Sequence, residues 1–335
     1  MRNSSEAMIV VGAIVLVALI APGQDARQEW KLTRSDTPDM VHFRVERSQR
    51  GNHSSHSSDV PLANFRGLSL DRSGPATFQY VHDAGSLQCT GRFSFGAGSG
   101  TFTVTPNPQF SADLTSLGYA APDDEQLFTM MLTNVNLEFA RGIRDAGLRA
   151  STSQLIELRI HGVTLPYVRE TQKLGYSNLS AREYVELKIH GVSTEFLRDL
   201  RQAGYDLSAG QVTELKIHGV SSEYMRELKA YGLQPPSNDL VQLKIHAVSP
   251  EYLKALKDAG YSGMSVNQIT ELKIHGVSPE FVREARDMGY QFASRDLVEL
   301  KIHGVDGAYL KRLRDSGMRD LSASQITKLK IHGVD

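Results

Sequence analysis

The chain has 335 residues, of which 40% are hydrophobic, so it is long and apolar enough to bury a sizeable core. Its 37 lysines and arginines balance 38 aspartates and glutamates, which leaves a net charge of -1. Because the chain lacks an overall positive field, we expect no nucleic-acid partner. The single cysteine, Cys89, excludes an internal disulfide and a zinc site built from cysteines.

The N-terminal segment, residues 1–26, has the pattern of an export signal. An unbroken apolar run at residues 7–21 follows Arg2 and ends before Pro22 and Gly23. The run is shorter than the roughly 20 residues of a membrane-spanning helix and matches the core of a signal peptide, about 7 to 15 residues. Small residues are not clearly spaced for cleavage, so the segment is predicted as a signal peptide or a retained membrane anchor. We therefore expect an exported protein, periplasmic or anchored to the membrane by this segment.

Residues 27–39 are predicted as a linker, and residues 40–106 as a small antiparallel β-rich domain. Apolar residues alternate with polar ones at residues 41–45 and again at residues 76–104. This alternation is the period of a strand that buries one face. The polar run at residues 52–58 interrupts the alternation and is predicted as a mobile loop.

The rest of the chain, residues 107–335, is predicted as an α-helical repeat array. The tripeptide His-Gly-Val or a near copy recurs every 28 or 29 residues, and a shared aromatic position extends the register to eight units. The pairs predicted as helix caps are His161-Gly162, His190-Gly191, His218-Gly219, His246-Ala247, His275-Gly276, His303-Gly304 and His332-Gly333. The aromatics predicted as core residues are Phe110, Phe139, Tyr167, Phe196, Tyr224, Tyr252, Phe281 and Tyr309.

Each unit is predicted to be a capped helical hairpin. Ser278 supplies an N-cap for a first helix, and Gly289 ends that helix. A second helix is predicted to start at an N-cap on Ser294 and to end at the His-Gly pair. Capping boxes of sister units are predicted at Ser151 with Gln154, Ser180 with Glu183, Ser208 with Gln211, Ser265 with Gln268 and Ser322 with Gln325.

Stacking of the units follows from the second helix. Leu300 and Ile302 lie about 200° apart around it, so both sides are predicted to be buried between neighbours. The predicted fold is therefore α+β, a small antiparallel β domain followed by an α-solenoid of eight 28–29-residue helical hairpins. Ala247 replaces a cap glycine at a predicted cost of about 1 kcal/mol. Asp335 directly follows a second helix without a polar capping helix, so self-association through this end is an alternative expectation.

The repeat histidines do not predict a metal ladder. Residues one unit apart would be separated by about 8 to 10 Å, too far to share one ion, so each histidine is predicted to stabilise the last turn of its helix. A joint response to pH is the alternative. The basic residues two positions before the histidines are predicted to lie on a solvated face of mixed charge, and they are Arg159, Lys188, Lys216, Lys244, Lys273, Lys301 and Lys330.

Catalytic patterns are absent from the sequence. It contains no H-E-x-x-H, S-x-x-K or G-x-S-x-G and no phosphate-binding G-x-x-x-x-G-K-[ST]. We therefore predict that the protein is not an enzyme and has no metal or cofactor. Cys89 alternates with apolar neighbours and is predicted as a buried hydrophobic residue rather than a nucleophile.

The segment at residues 78–118, with QYVHDAG, GRFSFGAGSGTFTVTPNPQF and LGY, and the following units of the form ELKIHGVSPEF resemble a region of bacterial envelope proteins. In that group the region is often attached to BlaR-type membrane metallopeptidases, which transduce antibiotic signals. The resemblance covers about residues 40–335, and this chain lacks the multi-span membrane part and its H-E-x-x-H. The resemblance implies a sensor-associated or scaffolding ectodomain, with no catalytic residue carried over.

These observations favour a non-enzymatic exported repeat protein that acts as a protein–protein interaction module or scaffold in the cell envelope. The expected partner is another envelope protein. One alternative is an accessory subunit of a membrane sensor or metallopeptidase signalling system. The other is a small-ligand binder or hydrolase at the β domain, which a deep polar pocket beside His42, His82 or Cys89 would support.

Overall fold

The computed structural model describes residues 27–49 and 52–334. Over these residues, a seven-stranded antiparallel sheet precedes sixteen α-helices, so the predicted α+β fold with a helical repeat region is confirmed. The predicted export segment, residues 1–26, lies outside the described residues. The chain forms two compact units that divide after Ile189, so the division predicted at residue 106 falls within the first unit. Among the helices of the described ranges, none has the length and apolarity needed to cross a membrane.

The sheet contains every strand of the described residues. The strands are β1 (Arg27–Arg34), β2 (Met40–Gln49), β3 (Asn52–Pro61), β4 (Phe65–Arg66), β5 (Gly74–His82), β6 (Gly85–Ser94) and β7 (Ala97–Pro106). Their order is β3-β2-β1-β7-β6-β5-β4. A short 3-10 helix, Leu62–Asn64, connects β3 to β4.

The linker predicted at residues 27–39 is wrong over most of its length, because Arg27–Arg34 forms β1, an interior strand of the sheet. This strand pairs with β2 on one side and with β7 on the other. Only Trp30 and Leu32 point into the core from it, and both are buried. Two apolar residues among charged neighbours are too short a pattern to indicate a strand, and one of the two partner strands lies about 70 residues away in sequence.

The mobile loop predicted at residues 52–58 is also wrong. The segment belongs to β3, which pairs with β2 along its whole length from Asn52 to Pro61. As an edge strand β3 gains its hydrogen bonds from one neighbour, and its outward side chains face solvent. Its polar composition is compatible with a strand because the hydrogen bonds to β2, rather than burial of apolar residues, stabilise it.

An aromatic cluster around Trp30 fills the sheet's core. The Trp30 ring lies 4.8 Å from the Phe78 ring and 5.7 Å from the Phe93 ring, centroid to centroid. Its indole N–H donates to the carbonyl oxygens of Thr90 at 3.1 Å and Thr101 at 3.0 Å. Gly91 on β6, two strands away, leaves the space for the ring, since a Cβ there would lie 2.7 Å from the indole.

The sixteen helices found within residues 52–334 form eight hairpins, as predicted. The first helices are α1 (Pro108–Ser116), α3 (Leu137–Asp145), α5 (Leu165–Lys173), α7 (Thr194–Gln202), α9 (Ser222–Ala230), α11 (Pro250–Asp258), α13 (Pro279–Asp287) and α15 (Gly307–Asp315). The second helices are α2 (Asp124–Thr133), α4 (Thr152–Ile160), α6 (Ala181–Ile189), α8 (Ala209–Ile217), α10 (Ser237–Ile245), α12 (Val266–Ile274), α14 (Ser294–Ile302) and α16 (Ala323–Ile331).

Within each compact unit the helices stack in two layers. In the first unit, α1, α3 and α5 pack in sequence, as do α2, α4 and α6, and α2 also packs on strands β6 and β7. In the second unit the odd-numbered helices from α7 to α15 form one layer, and the even-numbered helices from α8 to α16 form the other. Consecutive second helices therefore present equivalent residues side by side.

The five predicted capping boxes are present on α4, α6, α8, α12 and α16. The N-cap predicted at Ser294 is wrong by one residue, because Ala293 occupies that position and Ser294 is the first residue of α14. Its hydroxyl instead accepts a hydrogen bond from the Gln268 amide of the preceding second helix at 3.2 Å. The backbone N–H of Ala293 donates a hydrogen bond to the Asp296 carboxylate at 3.1 Å.

The cap residues after the histidines adopt the left-handed conformation. Their φ angles lie between 66° and 71° at Gly162, Gly191, Gly219, Gly276, Gly304 and Gly333. Ala247 takes the same position with φ of 52°. The Cβ atom of any residue other than glycine strains the backbone in this conformation, whereas glycine adopts it freely.

We expect Ala247→Gly to raise the free energy of unfolding by about 1 kcal/mol, because the substitution relieves the strain of the left-handed backbone. Gly276→Ala, at the next equivalent cap, should lower it by a similar amount. Urea unfolding of both variants measures the effect. Equal stability of the two variants and the wild type would show that the cap conformation carries no strain.

Candidate functional site

The eight repeat aromatics lie in the core. All are buried, and each sits near the start of its first helix. From α3 to α15 the N-cap side chain accepts a hydrogen bond from the aromatic's own backbone N–H, for example Ser278 from Phe281 at 3.2 Å. Tyr224, Tyr252 and Tyr309 each make a second hydrogen bond through the hydroxyl, which in Tyr252 donates to the carbonyl of Val277 at 2.8 Å. This bond joins the start of a hairpin to its end.

The basic row does not form the solvated face that was predicted. Each of its members lies over the aromatic ring of its own hairpin, at 4.4 to 5.1 Å from the ring centroid. The pairs are Arg159 on Phe139, Lys188 on Tyr167, Lys216 on Phe196, Lys244 on Tyr224, Lys273 on Tyr252, Lys301 on Phe281 and Lys330 on Tyr309. Such cation–π contacts favour one arrangement of the two helices of a hairpin. The constant spacing of 20 or 21 residues between the aromatic and the basic residue of each pair could have indicated this contact from the sequence.

The second helices carry a row of exposed isoleucines at their last residue. Ile189 is such a residue in the first compact unit. The five in the second unit, which we call the isoleucine row, are Ile217, Ile245, Ile274, Ile302 and Ile331, with exposures between 51% and 60%. The prediction that both sides of the second helix are buried is therefore wrong. Leu300 is fully buried, whereas Ile302 lies on the outer surface, because the neighbouring second helices flank this helix without covering its solvent side.

In the second compact unit every second helix contributes one residue to the isoleucine row. The five helices α8, α10, α12, α14 and α16 pack in sequence, and each ends in one exposed isoleucine. The next residue of each helix is the repeat histidine, which acts as C-cap and is exposed or half-exposed. The surface of this layer therefore presents parallel rows of apolar side chains and imidazoles.

The β domain has a hydrogen-bonded chain of three side chains on the exposed face of β2 and β3. The Ser57 hydroxyl lies 2.8 Å from Nε2 of His42, and Nδ1 of His42 lies 3.0 Å from Oδ1 of Asp59. The Ser35 hydroxyl donates to Oδ2 of Asp59 at 2.7 Å. Hydrogen bonds from Ser35 and then His42 lower the pKa of Asp59, so the carboxylate is ionised at neutral pH.

Cys89 and His82 occupy different environments in the β domain. Cys89 is fully buried, and burial raises the pKa of its thiol to about 12, so it packs as a neutral hydrophobic residue. His82 accepts a hydrogen bond from the backbone N–H of Ala84 at 3.3 Å, and its Nε2 lies 3.0 Å from the Asn134 side-chain oxygen. These partners fit a neutral ring with its proton on Nε2.

Burial lowers the pKa of His82 below its ordinary value of 6.5, and the nearby Arg159 charge lowers it further, against the Asn134 hydrogen bond and Asp83, which raise it. The unfolded chain therefore binds this proton more readily than the folded one. We expect the free energy of unfolding to fall as the pH decreases through about 6.5. Urea midpoints at about pH 7.5 and 5.5 measure this loss. His82→Gln should reduce the pH dependence, and an unchanged dependence would contradict the assignment.

No protein-family model matches the chain, and the search of curated proteins finds no similar sequence. Within residues 27–49 and 52–334, no group of three or more histidine, cysteine, aspartate or glutamate side chains is arranged to hold a metal ion. The candidate site is therefore the exposed isoleucine row of the repeats.

Proposed function

We propose that this chain is a non-enzymatic, exported repeat protein that acts as a protein–protein interaction module in the cell envelope. The isoleucine row is the observation that carries the proposal. The apolar pattern of residues 1–26 supports export, with the protein periplasmic or held at the membrane by that segment.

An exposed row of large apolar side chains is unusual on a monomer. Soluble proteins rarely expose contiguous apolar patches larger than a few hundred Å², and larger ones mark interaction sites. Five isoleucines on consecutive helices, each more than half exposed, gain about 1 to 2 kcal/mol apiece when a partner covers them. The row therefore contributes enough to bind a segment of another protein.

The geometry indicates the partner's shape. Packed helices lie about 8 to 10 Å apart. A polyproline II segment has three residues per turn and rises about 3.1 Å per residue, so every third side chain lies on the same side, about 9 Å from the last. A segment in this conformation with an apolar side chain at every third residue thus matches the spacing of the isoleucine row. The partner is another envelope protein that presents such a segment, and the resemblance to BlaR-associated regions makes a membrane metallopeptidase sensor the first candidate.

The test compares two doubly substituted full-length chains. Ile217→Asp with Ile274→Asp interrupts the isoleucine row, whereas Lys229→Asp with Lys257→Asp places two new aspartates at exposed positions near the ends of first helices. Each chain captures proteins from the solubilised envelope of the native host, and the captured partner is then titrated directly.

We expect one stoichiometric partner to bind the wild type and the lysine variant, and to be lost from the isoleucine variant. Equal binding by both variants, or by neither, would rule out the isoleucine row as the interface. A membrane metallopeptidase among the captured proteins would support the accessory-subunit version of the proposal.

A second candidate function is hydrolysis at the β domain, and the Ser57, His42 and Asp59 chain is what favours it. This order of hydroxyl, imidazole and carboxylate is the one that activates a serine nucleophile. A fluorophosphonate reagent should then label Ser57 in the full-length chain, and His42→Gln should abolish labelling. Labelling of the wild type that does not exceed that of Ser57→Ala would reject this function.

A further inference from the structure

A partly polar cavity of about 220 Å³ lies within the first compact unit, between the sheet and the ends of α2 and α4. Strand β3 contributes His56 and Ser58 to its wall, and Asn64 lies on the short 3-10 helix. Asn134 and Arg159 enter from the two helix ends. Five residues with polar side chains thus line one space.

Arg159 is the charged group of this cavity. Its guanidinium is half-buried and donates to the Thr133 carbonyl at 3.3 Å. Over the described residues, no carboxylate forms an ion pair with it, and burial alone lowers its pKa. A partly desolvated cation without a counter-charge is costly unless an anion joins it.

Arg159 differs from the residues at the equivalent position of the other hairpins. The first hairpin has Met131 at the equivalent position, all six later hairpins have lysine, and only the second hairpin has an arginine there. All seven basic residues stack on their aromatic ring, so packing does not require the change. Arginine differs from lysine in presenting a planar fork of donors that matches a carboxylate.

The other cavity groups bring no negative charge into the cavity. The His56 ring is hydrogen-bonded to the Leu132 backbone and to Ser58 at 3.2 Å, and burial lowers its pKa, so the ring is neutral at neutral pH. Asp59 also borders the cavity, but its carboxylate accepts bonds from Ser35 and His42 on the opposite face of β3. That negative charge is therefore held away from Arg159.

Most of the remaining wall is apolar. Val60 and Pro61 from the sheet side and Leu132 and Ile160 from the helices line it. A ligand that fits both parts has a charged head for Arg159 and a short hydrocarbon body. We propose that this cavity binds a small organic carboxylate, a site that is independent of the isoleucine row.

The test uses hexanoate as probe on the full-length protein, followed by calorimetric titration and by amide NMR shifts. Hexanamide, the uncharged analogue, and inorganic phosphate are the comparison ligands. Arg159→Lys restores the residue of the sister hairpins and so preserves the fold, and Lys188→Arg makes the reverse change where the cavity is absent.

We expect saturable hexanoate binding with Kd near 1 mM, weakened about tenfold by Arg159→Lys and unchanged by Lys188→Arg. The shifted amides should be those of residues 56–64, 132–134 and 159–160. The proposal fails if hexanamide binds equally well, if Arg159→Lys leaves the affinity unchanged, or if phosphate binds and hexanoate does not. Shifts confined to other parts of the chain, or no saturation by about 10 mM, would also overturn it.

Discussion

Trp30→Ala should lower the free energy of unfolding by about 3 to 5 kcal/mol, the usual cost of removing a large buried aromatic side chain. The substitution empties the centre of the sheet's aromatic cluster and leaves the Thr90 and Thr101 carbonyls without their indole donor. Lys31→Ala, one residue along the same strand and exposed, should change stability by less than about 0.5 kcal/mol. Denaturant unfolding of the two variants measures the difference.

The fluorescence of Trp30 gives an independent check, because it is the only tryptophan of the chain. A residue that is 1% exposed should emit at short wavelength and resist quenching by iodide. Emission typical of a hydrated indole, together with a small effect of Trp30→Ala, would show that residues 27–34 are a linker after all.

Tyr252→Ala should destabilise the protein by about 3 to 5 kcal/mol, and Tyr252→Phe by about 1 kcal/mol. The larger loss reflects a buried ring at the centre of its hairpin. The smaller one reflects only the hydroxyl, which bonds the Val277 carbonyl. Urea unfolding distinguishes the two, and equal losses would contradict a separate role for the ring and the hydroxyl.

A double-mutant cycle isolates the contact between Tyr252 and Lys273, whose ammonium lies 4.6 Å from the ring centroid. Tyr252→Leu and Lys273→Met, alone and combined, should give a coupling energy of about 0.5 to 1 kcal/mol. Additive losses would mean that the stacked lysines contribute nothing beyond their hydrocarbon stems.

The helical repeats could be predicted because their signals are local. Ser278 and the serines of the capping boxes bond backbone groups within three residues, so the residue types and their spacing are sufficient. The position of Ser294 shows the limit, since Asp296 can satisfy the Ala293 N–H without a capping hydroxyl. The helix α14 therefore starts one residue earlier than predicted.

The sheet and the surfaces depend on distant residues and could not be predicted in the same way. β1 owes its place to β7, about 70 residues away, and β3 is a strand only because β2 pairs with it. A helical wheel places Leu300 and Ile302 on opposite sides, but which side is covered depends on how the layers stack. The cavity beside Arg159 likewise joins strand β3 to a helix end about 100 residues later.

We propose that the isoleucine row contacts a partner protein, and photo-crosslinking in the native host tests this contact. Benzoylphenylalanine replaces Ile274 in one full-length chain and Lys257, exposed on a neighbouring first helix, in another. We expect a discrete crosslinked product of constant size from position 274 and none from position 257. A crosslink from position 257 alone, or no product from either position, would contradict it.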